Sequence, residues 1–179
     1  MLTEKKDMYK KAKEEMRFSE RILNAIPGFH GYKEKELRRE SDRLIRNHLY
    51  QRLSLAKSDV RRIFQKLTDQ RAFEVLTDMD RLVAKFDRVS EKVNHASYGY
   101  SGFFDVVKIK EEALDRMIDF DNQMTDDVDK VVEEVKAFKT EVSEKDLRNA
   151  KERVQHLTQT LETFEEAFES RQEVILGVN

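Results

Sequence analysis

Apolar residues recur along this chain at alternating spacings of three and four, the rhythm that places them on one face of an α-helix. The first predicted helix runs over residues 2–25, with Tyr9, Ala12, Met16, Ser19, Leu23 and Ile26 on one face. It stops at Pro27-Gly28, because proline disfavours helix in the residue before it and glycine permits the turn. A second is expected from near Lys33 to Leu67 on Ile45, Leu49, Arg52, Ala56, Val60, Ile63 and Leu67, with Leu37, Ser41, Leu44 and His48 as an adjoining stripe. No glycine or proline interrupts it, so it makes one rod of roughly 50 Å. Thr68 or Asp69 is the expected cap of a third helix over 70–95, whose stripe is Phe73, Leu76, Met79 (or Asp80), Val83, Phe86 and Val93.

The fourth predicted helix covers 111–140 and follows a heptad. Val107, Leu114, Val128, Val135 and Val142 share one position, and Met117, Met124, Val131 and Phe138 share the other. Asp121 falls where an apolar residue belongs, so it is expected to be buried and paired with an arginine or tyrosine of a neighbouring helix. Ser143-Glu144-Lys145-Asp146 resembles a capping box that opens the fifth helix. There Leu147, Val154, Leu161, Phe168 and Ile175 repeat every seven residues, and Ala150, Leu157 and Phe164 fill the intermediate position until Arg171 breaks the series. A period of seven favours left-handed, near-antiparallel packing. The expected fold is therefore all-α, an elongated up-down antiparallel bundle of about five long helices with coiled-coil-like packing, in one domain over residues 1–179.

Two short stretches interrupt the helices: Ile26–Tyr32 and Ser97–Asp105. They hold four of the five glycines and the only proline, mixed with aromatics. Short connections make successive helices antiparallel, so both stretches are expected at one end of the bundle, with the turns near 69 and 142 at the other. Phe29, His30, Tyr32, His95, Tyr98, Tyr100, Phe103 and Phe104 would gather there. One reading is an aromatic plug that closes the bundle. Another is a docking surface for a peptide, a partner helix or a membrane headgroup region, for which Phe29, His30, Tyr32, Tyr98, Tyr100, Phe103 and Phe104 are the candidate binding residues, and a third is a pocket for a small ligand.

Composition narrows the chemistry. Of 179 residues, 39% are charged and 39% apolar, which suits exposed helices that each contribute one apolar stripe. No cysteine is present, so disulfides, thiolate metal sites and cysteine nucleophiles are excluded. No apolar run approaches the about 18 residues of a membrane span, and the lysine-rich start lacks a signal-like apolar stretch; a cytoplasmic location is expected. Charge is uneven: residues 33–71 carry twelve Lys/Arg against six Asp/Glu, and residues 105–179 carry eleven against twenty. The basic segment either packs beside the acidic one or presents Arg38, Arg39, Arg43, Arg46 and Arg52 to nucleic acid. Glu34, Glu36, Glu40 and Asp42 interleave with those arginines and favour intrahelical pairs.

Four histidines occur, none with a second histidine at ligand spacing; Glu91/His95 and Glu152/His156 read as ordinary i,i+4 pairs. Asp115, Asp119, Asp121, Asp126, Asp127 and Asp129 lack a calcium-loop glycine and read as an acidic helix face. The sequence assigns no catalytic residue, no metal ligand and no cofactor. It points to a non-enzymatic binding or scaffolding module that self-associates as a homodimer. The alternatives are nucleic-acid binding through the Arg-rich helix 33–71 and a metal-dependent enzyme using loop-end His30, His95 and Asp105.

The stretches Ile26-Pro27-Gly28-Phe29-His30-Gly31-Tyr32-Lys33-Glu34-Lys35-Glu36 and Tyr98-Gly99-Tyr100-Ser101-Gly102-Phe103-Phe104-Asp105 together resemble a family of helical archaeal and bacterial proteins of unknown function. The resemblance covers residues 26–50 and 95–121. It implies a prokaryotic cytoplasmic protein and carries over no activity, cofactor or partner.

Overall fold

The computed structural model describes Ile26, residues 35–96 and residues 111–176. Four helices account for nearly all of these: α1 (Lys35–Asp69), α2 (Phe73–His95), α3 (Glu111–Ser143) and α4 (Ala150–Leu176). The helix expected over 2–25 lies outside the described residues. None of the described helices is long and apolar enough to cross a membrane.

The seams form where the periodicity requires. In α3, Met117, Met124, Val128, Val131, Val135, Phe138 and Val142 are buried; in α4, Ala150, Val154, Leu157, Leu161, Phe164 and Phe168 are. The Phe164 and Phe168 rings stack with centroids 6.4 Å apart. In α1 the buried row includes Leu53, while Arg52 turns half outward, because an arginine keeps its head in water when a leucine beside it can fill the seam. The expected stripe of α2 holds at Met79, Phe86 and Val93 and is corrected elsewhere. Phe73 is 66% exposed and Leu76 and Val83 pack only at the rim, whereas Val75, Met79, Leu82, Phe86, Val89 and Val93 face inward. Apolar residues occupy two adjacent faces of α2, and the heptad-spaced one matches the partner helices.

The caps also differ from expectation. Thr68 donates its hydroxyl to the Phe64 carbonyl at 2.9 Å, and α2 begins after Ala72 with no side-chain cap. Arg71 sits at φ 60°, and the Ala72 N–H bonds the Leu67 carbonyl to close the turn. The Ser143–Asp146 capping box does not form, since Ser143 is the last residue of α3 and donates back to Lys139 O at 2.6 Å. Asp146 instead holds Arg148, whose hydrogen bonds pull its carboxyl down to about 2.

α1 packs against α2 and α3, and α4 packs against α2 and α3, so the helices form a closed ring of neighbours. Polar bonds set the directions. Arg52 pairs with Asp129, Asp59 with Lys139, and Lys66 with Ser143, so residue numbers rise together along α1 and α3. The same holds for α2 and α4, through Lys85–Glu162, Arg88–Glu165 and Lys92–Glu169. Between α3 and α4 the numbers run oppositely, through Glu141–Arg153 and Glu134–His156. Gln70 Nε2 donates to Val142 O at 2.9 Å, bringing the two turns side by side at one end.

The two hairpins, α1–α2 and α3–α4, repeat one core pattern at an offset of 75 residues. Leu49, Leu53, Ala56, Val60, Ile63 and Leu67 answer to Met124, Val128, Val131, Val135, Phe138 and Val142. Ala72, Val75, Met79, Leu82, Phe86, Val89 and Val93 answer to Leu147, Ala150, Val154, Leu157, Leu161, Phe164 and Phe168.

Candidate functional site at the bundle end

The heptads carry charge at the end opposite the turns. Asp121 on α3 and Arg171 on α4 both stand at seam positions and both are 0% exposed. Arg171 Nε donates to Asp121 Oδ1 at 2.6 Å. Its Nη1 lies 2.8 Å from Asp42 Oδ1 on α1, and Arg46 Nε donates to Asp42 Oδ2 at 2.8 Å. Arg46 and Asp42 are themselves buried, and Arg171 is the largest fully buried side chain among the described residues. The result is a chain of alternating charge, Arg46–Asp42–Arg171–Asp121, that ties three helices together inside the core.

Arg171 therefore continues the heptad of α4 where an interruption was expected. The signal was present in the sequence: opposite charges occupy seam positions of two successive helices, and a buried charge requires a counter-charge. What the sequence did not single out is Asp42, which sits on the basic helix and links Arg171 to Arg46. Such a chain is costly to desolvate and adds little net stability, but removing one partner leaves a buried charge uncompensated.

Of the candidate binding residues, Phe29, His30, Tyr32, Tyr98, Tyr100, Phe103 and Phe104 lie outside the described residues, as does Asp105, and with them the expected meeting of His30 and His95 near Asp105. Ile26 is buried in the apolar core. Asp121 is placed as above. The nucleic-acid candidates divide: Arg46 is buried on Asp42, Arg52 pairs with Asp129 across to α3, and Arg43 is exposed. Further along α1, Arg61 is held by Asp87 and Arg62 by Asp59.

Among the described residues, His48, His95 and His156 each have separate surroundings. His95 pairs with Glu91 at 3.0 Å on the surface of α2. His156 does not pair with Glu152; its Nδ1 lies 3.0 Å from Glu134 on α3, because α4 turns that face toward its neighbour. His48 is half-buried, and desolvation pushes its pKa below the usual histidine value. The Arg52 charge adds to that, and Asp129 opposes it. The expected acidic face of α3 splits into three environments: Asp121 in the seam, Asp129 on Arg52, and Asp127 only 6% exposed. Among the described residues no three His, Asp or Glu side chains gather closely enough to hold a metal ion.

No protein-family model, curated protein or solved structure matches this chain.

Proposed function

We propose that this chain is a non-enzymatic binding or scaffolding module, an antiparallel, coiled-coil-like bundle of about five helices that docks a partner at its glycine–aromatic end. The observation that carries this reading is the buried Arg46–Asp42–Arg171–Asp121 chain. It fixes α1, α3 and α4 at the end where α1 and α3 begin and α2 finishes. Residues 27–34 and 97–110 are joined to that end by the chain itself. Loops that carry recognition work best on a rigid support, and this end has one.

Phe29, His30, Tyr32, Tyr98, Tyr100, Phe103 and Phe104 are the proposed contact residues, and a second copy of the chain is the first partner to test. The nucleic-acid reading draws less support, since Arg46 and Arg52 already have carboxylate partners within the molecule. The test compares wild type with Tyr100→Ala/Phe103→Ala by light scattering at high micromolar concentration. A wild-type dimer that the double variant loses, at unchanged helix content, supports docking through this end. A wild-type monomer, or a dimer indifferent to both substitutions, removes the self-docking reading.

A further inference from the structure

α1 carries a second row that its seam does not use. Ser41, Leu44, His48 and Leu55 follow at steps of three, four and seven, so they share the outward side of the helix. Exposure rises along the row: Ser41 is 1% exposed, Leu44 and His48 are partly buried, and Leu55 is 66% exposed. The equivalent row of α3, 75 residues on, is Arg116, Asp119, Gln123 and Lys130, and all four are exposed. An open helix face takes polar residues of that kind. The row of α1 has instead the make-up of a face that another element covers.

The chain supplies an occupant in residues 2–25. They lead into Ile26, which is 3% exposed in the apolar core, and at most about 31 Å of chain joins it to Lys35 at the start of α1. As a helix the segment is roughly 36 Å long and the row roughly 21 Å, so one can cover the other whole.

We propose that residues 2–25 form a helix antiparallel to α1 that lies along this row. Residues 27–34 are a connection short enough to make the two helices antiparallel neighbours. Numbers that face each other across such a pair have a constant sum. With Ile26 at the buried Ser41, Leu23 faces Leu44, Ser19 faces His48 and Ala12 faces Leu55. All four belong to the stripe that periodicity marks on the segment, which repeats the steps of three, four and seven in reverse. Small residues meet large ones at three of these levels, the alternation that lets facing rows interdigitate. Charge agrees with the placement. Lys6, Lys13 and Arg17 fall on one side of the stripe, and the antiparallel direction turns that side toward Asp119 and Asp126 of α3. The inference rests on the five-helix part of the reading above and names the face that the first helix covers; the docking role is separate.

The test introduces cysteine pairs into the full chain, which has none of its own. A short bismaleimide should join Ala12→Cys/Leu55→Cys within one molecule about tenfold or more faster than Ala12→Cys/Ala84→Cys. Ala84 is exposed on α2, away from the row, and Leu55 is exposed enough that its replacement keeps the fold. Equal rates for the two pairs, or no product from either, would overturn the proposal. A product of twice the chain mass would overturn it as well, because a second copy would then occupy the row. Tyr100→Ala/Phe103→Ala can lose a dimer without altering this cross-link, so the two readings fail separately.

Discussion

The two hairpins share one interior and differ in almost everything outside it. Their seams coincide position for position at an offset of 75 residues, although few of the paired residues are identical. Their charges do not match: residues 35–95 carry fifteen Lys/Arg against ten Asp/Glu, and residues 111–176 carry nine against nineteen. The basic hairpin supplies Arg52, Lys85, Arg88 and Lys92, and the acidic one receives them on Asp129, Glu162, Glu165 and Glu169. The common seam therefore sets how each hairpin folds, and the opposite charges set how one lies on the other. The one place where charge enters the seam also follows the repeat. Arg46 and Asp121 stand at equivalent positions, as do Ala96 and Arg171. Small Ala96 answers to the large buried Arg171.

The largest test of this comparison is at that layer. Asp121→Ala should cost about 3–5 kcal/mol in chemical denaturation, because it takes a carboxylate partner from the fully buried Arg171. Asp121→Leu/Arg171→Met should recover most of that loss, since Asp42 keeps Arg46 and the seam becomes apolar. A double variant no better than the single one would mean that the ion chain contributes more than the fit of the packing.

Next in size is the equivalence of the seams. Leu82 and Leu157 are identical residues at matched positions, each 1% exposed. Leu82→Ala and Leu157→Ala should each cost about 2–5 kcal/mol, within about 1 kcal/mol of one another. A much larger gap between them would break the repeat as an energetic statement. Smaller still is the surface between hairpins. Lys92→Ala removes bonds to Glu165 and Glu169, yet these groups are partly exposed, so the loss should stay near 1 kcal/mol and shrink with added salt.

The smallest expected effect is a pH dependence. His48 is pushed below its ordinary 6.5, chiefly by burial, so the unfolded chain takes up the proton first. Its contribution is present above about pH 6.5 and is lost as pH falls through the lowered folded value. His48→Gln should flatten thermal stability between pH 7 and 5 relative to wild type, which is a direct comparison of melting curves. Glu165 is the carboxylate counterpart. Burial raises its pKa, but bonds from Lys92 and Arg88 outweigh this and hold it below 4.5, so its contribution persists at neutral pH and disappears in acid.

Much of the fold was legible because the heptads of α3 and α4 are strict. Met117 through Val142 and Ala150 through Phe168 could be placed in the core from spacing alone. In α2, Met79, Phe86 and Val93 were placed correctly, but the other half of the stripe was misread because Phe73, Leu76 and Val83 are as apolar as Val75, Leu82 and Val89, and only the partner helices choose between them. The turns fall where expected, but their caps were misread because Thr68 and Ser143 bond back into the helices they end, which competes with capping the next. Asp121 stood out by breaking a heptad. Asp42 did not, since its helix is rich in charge and nothing local marks one aspartate as the partner of a residue more than a hundred positions away.

The central claim is geometric: the hairpins lie side by side with residue numbers rising together, so that Arg52 meets Asp129. The chain has no cysteine, which makes a paired-cysteine measurement clean. Arg52→Cys/Asp129→Cys should join within one molecule through a short bismaleimide. Arg52→Cys/Ser143→Cys should not, because residue 143 lies fourteen residues, roughly 21 Å, further along α3. Cross-linking of the second pair in preference to the first would contradict the account.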